Sequence, residues 1–379
     1  MSAQRSRRLA LLVAGLAGVG LVAAPPAMAS TASTANANAT CSIINDMVSA
    51  DNYWVANGTD TASPDWQNST FQVGNLAMVR TTGVTNHITL PWAAANNYQL
   101  PADPANKPFF PDDEAAGEAY LALYYYHPTP ANLQPLRDRV AAEDASVAAG
   151  NDKYFNYVDA LNMAMPSLAQ LGVMDNSQAD LDTMHTLFDY ARGGVAGRGL
   201  YNPLAGLWYR DASDIGSATF WSRGNGWAFA ALAKVLAQLP ATDPHRAEYL
   251  QVYKRMALSI LATQRPDGFW NVDLLNPFDH GGPETSGTSL FTYGLAWGIN
   301  NGVLPAKVYQ PAVERAWKGL TTKALQPSGL LGYVQGPATG PRDGQPVTAT
   351  STAAYGVGAF LLAGVQLAVL TPGCIPSTS

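Results

Sequence analysis

One acidic side chain stands out because the residues around it are almost all apolar. Asp159 is the only acid in the segment YFNYVDALNMAM, residues 154–165. The segment predicts an inner helix on which Asn156 and Asn162, three residues to either side, share the face of Asp159. Loss of hydration among aromatic and methionine side chains raises a carboxyl pKa toward the range of a general acid. The alternative is a structural aspartate held by a buried hydrogen bond.

A second pair of acids opens the segment DDEAAGEAYLALYY, which also predicts a helix. Asp112 and Asp113 directly follow Pro111. Acids in a first turn cap a helix and interact favourably with its dipole, and this is one interpretation of the pair. In the other interpretation, Asp112 is the second catalytic carboxylate, because glycosidic chemistry characteristically uses two acids.

The segment FWSRGNGW, residues 220–227, is a glycine-rich turn that leads into a helix. The start of a helix exposes free N–H groups, and Arg223 beside them would complete a corner that binds a carboxylate. Trp221 and Trp227 offer flat faces on which sugar rings stack, and we assign Asn225 to the same substrate-binding group. The alternative is an ordinary helix start with tryptophans in the core.

Another cation follows aromatic residues in the segment GLWYRD, residues 206–211. Arg210 is a candidate for substrate binding, as is Tyr157 beside Asp159. Arg210 could instead form a surface ion pair with Asp211 or Asp214.

The segment PETSGT, residues 283–288, opens a further inner helix. We expect Thr285 and Ser286 to direct their hydroxyl groups toward a substrate. Glu284 could be an acid of the first turn and nothing more.

Several other chemistries are poorly supported. The histidines, at positions 87, 127, 185, 245 and 280, show no metal-ligand spacing, and no nucleophile elbow, phosphate loop or dinucleotide fingerprint is present. The balance of 22 basic and 28 acidic residues argues against nucleic-acid binding. We expect no metal and no cofactor. An acidic ligand remains compatible, since a few arginines suffice to bind a carboxylate.

Helical patterns dominate the chain, and strand patterns are scarce. The patterns predict about twelve helices: 42–57, 69–82, 86–97, 112–127, 131–149, 156–172, 177–192, 225–239, 246–264, 285–300, 307–324 and 352–370. Helix 225–239 is apolar nearly all round, as an inner helix would be, whereas helix 246–264 has a charged outer face. Six such hairpins in a ring make an all-α, (α/α)6 barrel. Residues 41–376 would form it as a single domain, which we expect to be a monomer.

The N-terminus has the pattern of a secretory signal peptide over residues 1–29. Three arginines precede an apolar run, and an Ala-Met-Ala cleavage pattern ends it. A membrane-spanning helix is the alternative, but the run is short for a bilayer. We therefore expect a secreted protein that is not membrane-bound after cleavage. Cleavage removes three arginines and no acid, so the net charge of −6 becomes −9. Residues 30–40 are expected to be a flexible lead-in.

The chain contains two cysteines, Cys41 and Cys374, near its two ends. In an exported protein an even number predicts a disulfide bond, which here requires a fold whose ends meet, as in a closed ring. The alternative is two unpaired buried thiols.

Together these segments resemble the unsaturated uronyl hydrolases of glycoside hydrolase families 105 and 88, and family 105 more closely. The matching stretches run from about residue 66 to residue 335: PDDEAAGEAYLALY, YVDALNMAMPSLAQL, GLWYRD, FWSRGNGWAFAAL, ILATQRPDGFW and PETSGTSLFTYGLAWGIN. The resemblance implies an (α/α)6 barrel. It also implies removal of a terminal 4,5-unsaturated uronic acid from fragments that lyases produce, such as those of rhamnogalacturonan.

The resemblance also implies a role for individual residues. Asp159 matches the acid that protonates C4 of the enol ether, and Asp112 matches the second aspartate. Trp221, Arg223 and Trp227 match residues that line the substrate subsite.

The chain departs from the family pattern at two places in the expected pocket. Asn156 and Tyr157 replace a common tryptophan pair, and Arg210 stands where some members have histidine. These changes affect the expected substrate more than the reaction. Two other functions remain open: an inverting hydrolase of saturated glycans on the same barrel, and a glycan-binding protein without catalysis.

Overall fold

A computed structural model describes the backbone of residues 32–41 and all atoms of residues 42–84, 88–101, 109–371, 373 and 375. Within these residues there are twelve α-helices. In chain order they are α1 Ala32–Asn57, α2 Trp66–Thr82, α3 Thr89–Ala95, α4 Ala115–Tyr124, α5 Gln134–Ala148, α6 Ala160–Asp175, α7 Gln178–Asp189, α8 Ser222–Gln238, α9 Arg246–Ala262, α10 Thr285–Asn300, α11 Ala306–Gly319 and α12 Ala354–Leu370.

Short elements connect these helices. The strands β1 Tyr201–Asn202 and β2 Leu207–Trp208 pair antiparallel, with Tyr201 opposite Trp208. The remaining short elements are the 3-10 helices Pro111–Glu114, Pro130–Leu133 and Val195–Gly197 and the π-helices Tyr190–Gly194 and Leu320–Ala324.

The even-numbered helices form an inner ring in which each packs against the next, and α12 closes the ring against α2. Odd-numbered helices lie outside it, with α7 on α6, α9 on α8 and α11 on α10. The fold is the predicted (α/α)6 barrel. Helix α8 is almost wholly buried and α9 keeps an exposed face, which confirms their assignment as inner and outer helices.

Two glycines allow the ring to close. A Cβ atom on Gly74 of α2 would lie 2.4 Å from the carbonyl oxygen of Gly358 on α12. A Cβ atom on Gly358 would lie 2.3 Å from the carbonyl oxygen of Thr70. Since no side chain fits at either position, the two glycines let the first and last inner helices approach backbone to backbone.

Three boundaries differ from the predicted ones. Helix α1 begins at Ala32, within the segment expected to be a flexible lead-in, because residues 32–40 contain no glycine or proline to stop the helix. The predicted helix 86–97 is the shorter α3. Helix α6 begins at Ala160 rather than at residue 156, because the preceding backbone pairs with the segment after β2: the Val158 amide donates to the Arg210 carbonyl at 2.8 Å.

None of the described helices is long and apolar enough to span a membrane. The predicted signal peptide lies outside the described residues. So do Cys374 and the side chain of Cys41, so the predicted disulfide bond stays a prediction.

Candidate active site

A pocket of about 470 Å³ lies where the inner helices begin. The starts of α2, α6 and α8, the 3-10 helix before α4, the segment after β2 and the loop before α12 contribute its walls. Helix N-termini carry a partial positive charge, so this end of the barrel favours an anionic ligand. The lining residues are Trp66, Phe110, Asp112, Tyr157, Asp159, Met163, Arg210, Arg223, Pro337, Ala338, Thr339 and Asp343.

Asp159 occupies the position just before α6, yet its side chain does not cap the helix. The side chain lies in the pocket wall, and its Oδ2 atom accepts no hydrogen bond among the described residues. Burial raises the pKa of Asp159, as predicted, although Arg210 and Arg223 oppose that rise. These contacts argue against a purely structural aspartate, because such a residue would have its oxygens satisfied.

The predicted polar face around Asp159 is wrong. Asn156 precedes α6 and is exposed, so it has no helical register with Asp159. Asn162 does lie on α6, but it is buried and accepts a hydrogen bond from Lys234 at 3.2 Å, inside the barrel. The backbone of residues 157–158 pairs with the segment after β2 instead of continuing α6, which explains the error.

Arg210 is the cation nearest to Asp159. Its Nε atom lies 3.5 Å from Asp159 Oδ2, and its Nη1 atom lies 2.9 Å from Asp211 Oδ2. The guanidinium also lies over the Tyr157 ring, 5.0 Å from its centroid. The surface ion pair considered for Arg210 therefore exists, with Asp211, but the same side chain also faces the pocket and the candidate acid.

Asp112 belongs to the 3-10 helix Pro111–Glu114, and its side chain does not cap that helix. Instead its Oδ1 atom accepts a hydrogen bond of 2.7 Å from the Tyr157 hydroxyl. Burial raises the pKa of Asp112 to about 6, the hydrogen bond from Tyr157 lowers it, and the charge of Asp159 raises it. The structure thus brings the two predicted acids and Tyr157 together in one pocket.

Arg223 lies in the first turn of α8 and lines the pocket, but most of its guanidinium is already engaged. Its Nη1 and Nη2 atoms donate 2.8 Å hydrogen bonds to the carbonyl oxygens of Gln335 and Gly336. The guanidinium lies between the rings of Trp221 and Tyr355, with centroid distances of 4.5 and 4.8 Å. Arg223 therefore fastens the loop before α12 to the pocket wall. This structural role, which the hydrogen bonds of Arg223 show, differs from the predicted role in binding a carboxylate.

Three other residues of that segment lie in the core rather than on the pocket wall. Trp221 and Trp227 are each 1% exposed, and Trp221 Nε1 donates to the Gln335 side chain at 2.8 Å. Asn225 is fully buried and exchanges hydrogen bonds with the backbone of Trp208 at 2.8 and 2.9 Å. All three are covered by the surrounding protein in this structure, and none belongs to the pocket lining.

Thr285 and Ser286 do not point into the pocket. The Thr285 hydroxyl donates to the Gly332 carbonyl at 2.7 Å, and the Ser286 hydroxyl donates to Glu284 Oε1 at 2.6 Å. Glu284 caps α10 by accepting from the amides of Ser286 and Gly287. The interpretation of Glu284 as a helix-start acid agrees with this geometry, and capping explains why the Ser286 hydroxyl is turned inward.

Sequence reasoning missed several lining residues. Trp66 begins α2 directly after the helix-capping Asp65, and Phe110 packs against Tyr157 with ring centroids 5.9 Å apart. An aromatic residue at the start of an inner helix was the available signal for Trp66. The loop residues from Pro337 to Asp343 carried no signal, because only the three-dimensional path of the loop brings them to the pocket.

The search for metal-ligand spacing in the sequence also missed a pair of neighbouring histidines. His185 on α7 and His245 before α9 stack with ring centroids 3.4 Å apart, and with Glu248 they place three potential metal ligands within 4.8 Å. Two separate helices contribute them, which sequence spacing cannot reveal. The ring planes are only 17° apart, so one ion could not lie in both planes, and Arg192 holds Glu248 at 2.6 Å. The expected absence of a metal stays a prediction.

Fold and pocket together define an (α/α)6 glycosidase, and comparison with known proteins agrees. The model of Glycosyl Hydrolase Family 88 matches residues 41–371. The chain belongs to this family and is a glycosidase, which confirms the resemblance to the unsaturated uronyl hydrolases; the matching model is that of family 88, whereas the sequence motifs predicted a closer relation to family 105.

Curated relatives and solved structures support the same assignment. Two "Unsaturated 3S-rhamnoglycuronyl hydrolase" proteins are similar, one from Alteromonas sp. and one from Formosa agariphila. The first is 30% identical over 73% of this chain and 70% of its own length, and the second is 32% identical over 81% and 85%. A "Glycosyl hydrolase family 88" structure from Bacteroides vulgatus superposes with a TM-score of 0.79 at 33% identity, covering 87% of this chain and 99% of that one.

Proposed function

We propose that this glycosidase removes a terminal 4,5-unsaturated uronic acid from oligosaccharides that polysaccharide lyases produce. The observation that carries the proposal is the carboxyl group of Asp159, which is buried in the pocket with a raised pKa beside Arg210. Burial favours the protonated form of this carboxyl group, and a protonated acid is the reagent that an enol ether requires. The names of the two curated relatives, both hydrolases of unsaturated uronyl substrates, support the same chemistry.

The proposed reaction begins with proton transfer from Asp159 to C4. A C4–H bond forms, the C4=C5 π bond breaks, and positive charge develops at C5, where the ring oxygen shares it. Water then adds to C5 and gives its proton to the Asp159 carboxylate, which restores the acid. The resulting hemiketal opens by cleavage of the bond between C5 and the ring oxygen. The hemiacetal left at C1 then collapses and releases the neighbouring sugar as an alcohol.

Arg210 and Asp112 have distinct proposed roles in this scheme. The Arg210 guanidinium faces the pocket and would bind the uronate carboxylate, since it offers donors and a positive charge. Its charge also keeps the pKa of Asp159 from rising further. Asp112, once ionised, would stabilise the positive charge that develops at C5.

The sugar next to the bond is proposed to be a rhamnose-type residue. The names of both curated relatives contain "rhamnoglycuronyl". Three aromatic side chains in the pocket wall, those of Trp66, Phe110 and Tyr157, provide apolar surface for sugar rings. We further propose that the protein acts outside the cell after removal of residues 1–29, on the strength of the signal-peptide pattern.

A substrate panel tests this proposal. The purified protein would be mixed with lyase digests of rhamnogalacturonan, ulvan and glycosaminoglycans, and with the saturated counterpart of each fragment. We expect loss of the ultraviolet absorbance of the double bond with the rhamnose-containing digests, and no release of sugar from saturated fragments. Cleavage of saturated fragments would instead indicate an inverting hydrolase, and binding without turnover would indicate a glycan-binding protein. Either result would overturn the proposal.

A further inference from the structure

Two glutamates that do not line the pocket are buried against each other. Glu114 ends the 3-10 helix that carries Asp112, and Glu143 lies on the outer helix α5. Their exposed fractions are 2% and 0%, and their side-chain carboxyl groups hydrogen-bond to each other. A hydrogen bond between two carboxyl groups requires a proton on one of them, because an ionised carboxylate only accepts.

The charges around the pair also require that proton. Among the residues that the structure describes, the cation that faces it is Arg139 on α5, whose Nη1 atom lies 3.7 Å from Glu114 Oε1. Asp113 and Asp144 add negative charge on either side. Two ionised glutamates with a single arginine would leave a buried negative charge uncompensated, which is strongly unfavourable. Burial accordingly raises the pKa of Glu143 to about 7 and that of Glu114 well above its usual range.

Glu143 is connected to both segments that carry the candidate catalytic acids. Through Glu114 it holds the 3-10 helix, two residues after Asp112. It also accepts a 3.0 Å hydrogen bond from the hydroxyl of Tyr154, five residues before Asp159. The two segments are joined again at the pocket itself by the hydrogen bond from Tyr157 to Asp112. Glu143 therefore fixes both segments to the same point on α5.

We propose that Glu143 is a positioning residue for the reaction, which acts through the proton it shares with Glu114 to hold Asp112 and Asp159 in their relative places. It does not belong to the pocket lining, so its proposed role is exerted through other residues. The inference rests on the proposed function, because it takes Asp112 and Asp159 as the acids of that reaction. It extends that function by assigning a role to a buried acid pair outside the pocket.

The stability of the folded protein should depend on the protonation of this glutamate pair and therefore on pH. Both glutamates have pKa values raised by folding, so the folded protein binds more protons than the unfolded chain. The stabilisation is fully present below the usual glutamate pKa of about 4.5 and is lost as the pH rises through about 7. The wild-type unfolding temperature should therefore fall as the pH is raised from 5 to 8.

The variants Glu143→Gln and Glu143→Ala separate the hydrogen bonds from the charge. The glutamine amide donates to Glu114 and its carbonyl accepts from Tyr154, whereas alanine removes both contacts. We expect Glu143→Gln to keep kcat within about twofold and to flatten the fall in unfolding temperature. In Glu143→Ala the expected loss of kcat is roughly tenfold to hundredfold, since small misplacements of catalytic groups have effects of that size.

The pH profile distinguishes positioning from a merely structural role. Without Glu143 the segment before α6 loses an anchor, which weakens the hydrogen bond from Tyr157 to Asp112. Because that bond lowers the pKa of Asp112, the acidic limb of kcat/KM should move to higher pH in Glu143→Ala. Tyr154→Phe removes one contact only and should move the limb the same way, which keeps the test available if the alanine variant does not fold. Asp138→Asn, on the exposed face of α5, is the matched control.

The outcomes separate this inference from the proposed function. A wild-type acidic limb in both Glu143→Ala and Tyr154→Phe would overturn the positioning role. Identical dependence of the unfolding temperature on pH in the wild type and Glu143→Gln would overturn the shared proton. Wild-type protein that is inactive on every unsaturated digest would overturn the proposed function instead, and the unfolding measurements would still test the acid pair.

Discussion

The hydroxyl of Tyr157 donates a 2.7 Å hydrogen bond to Oδ1 of Asp112, and these two residues precede the inner helices α6 and α4. This bond joins the segment before α6 to the 3-10 helix before α4. It also opposes the effect of burial on Asp112, whose pKa is about 6. The same tyrosine ring lies under the guanidinium of Arg210, which faces Asp159. Tyr157 thus contacts one acid directly and the other through the arginine.

Replacement of Tyr157 by phenylalanine should move the acidic limb of the pH–rate profile to higher pH. The hydrogen bond favours the ionised form of Asp112, so its loss raises the pKa of that carboxyl group above its present value of about 6. Activity that depends on ionised Asp112 then declines earlier as the pH falls. The measurement is kcat/KM between pH 4 and 8, with Tyr209→Phe as a control outside the pocket lining. An unmoved acidic limb in Tyr157→Phe would contradict the assignment of Asp112.

Replacement of Arg210 by glutamine should weaken binding of the uronate. A charge-assisted hydrogen bond contributes about 1.5–3 kcal/mol, so we expect KM to rise roughly tenfold to hundredfold. Arg210 also lowers the pKa of Asp159, so the alkaline limb, where that acid loses its proton, should move to higher pH. Steady-state kinetics across pH measures both effects. Arg192→Gln, whose ion pairs lie outside the pocket lining, is the matched control, and equal KM values in the two variants would rule out this role.

Replacement of Arg223 by lysine distinguishes a structural role, in which Arg223 holds the loop before α12, from a role in binding the substrate carboxylate. Lysine keeps the positive charge but cannot reproduce two parallel hydrogen bonds from a planar group stacked between aromatic rings. The Gly336 carbonyl oxygen would lose its arginine donor and the Gln335 carbonyl oxygen would keep only the Tyr355 hydroxyl, which should lower the free energy of unfolding by about 1–3 kcal/mol. Denaturant unfolding measures this loss. A lysine variant with wild-type stability and only a raised KM would favour the carboxylate-binding interpretation.

The barrel could be predicted from the sequence because helical periodicity and the apolar faces of helices are local properties of the chain. Helix α8 is apolar nearly all round and α9 is not, and that contrast alone distinguished the inner from the outer helix. The acids were predictable for a similar reason. Asp159 is isolated among apolar residues, and Asp112 follows a proline at a helix start, so both were visible without knowing the path of the chain.

The remaining pocket residues depend on contacts between distant segments. Arg223 was predicted to bind a carboxylate, but two of its donor atoms, Nη1 and Nη2, are engaged by the carbonyl oxygens of Gln335 and Gly336, which come more than a hundred residues later. Trp227 likewise has the composition of a sugar-stacking residue, and its burial is evident only when the ring of helices is closed. Local patterns identify residue types that are suited to a site. Contacts with distant segments, such as the loop before α12, decide which of these residues line the pocket.

The most direct test replaces Asp159 by asparagine and measures the rate at which the ultraviolet absorbance of the substrate double bond falls. The wild type should remove the absorbance of a lyase digest that contains rhamnose. Asp159→Asn should reduce the rate at least about a hundredfold, since a general acid contributes two to four orders of magnitude, while its cooperative thermal unfolding is retained. A folded Asp159→Asn variant that removes the double bond at the wild-type rate would contradict the central claim that this carboxyl group protonates C4.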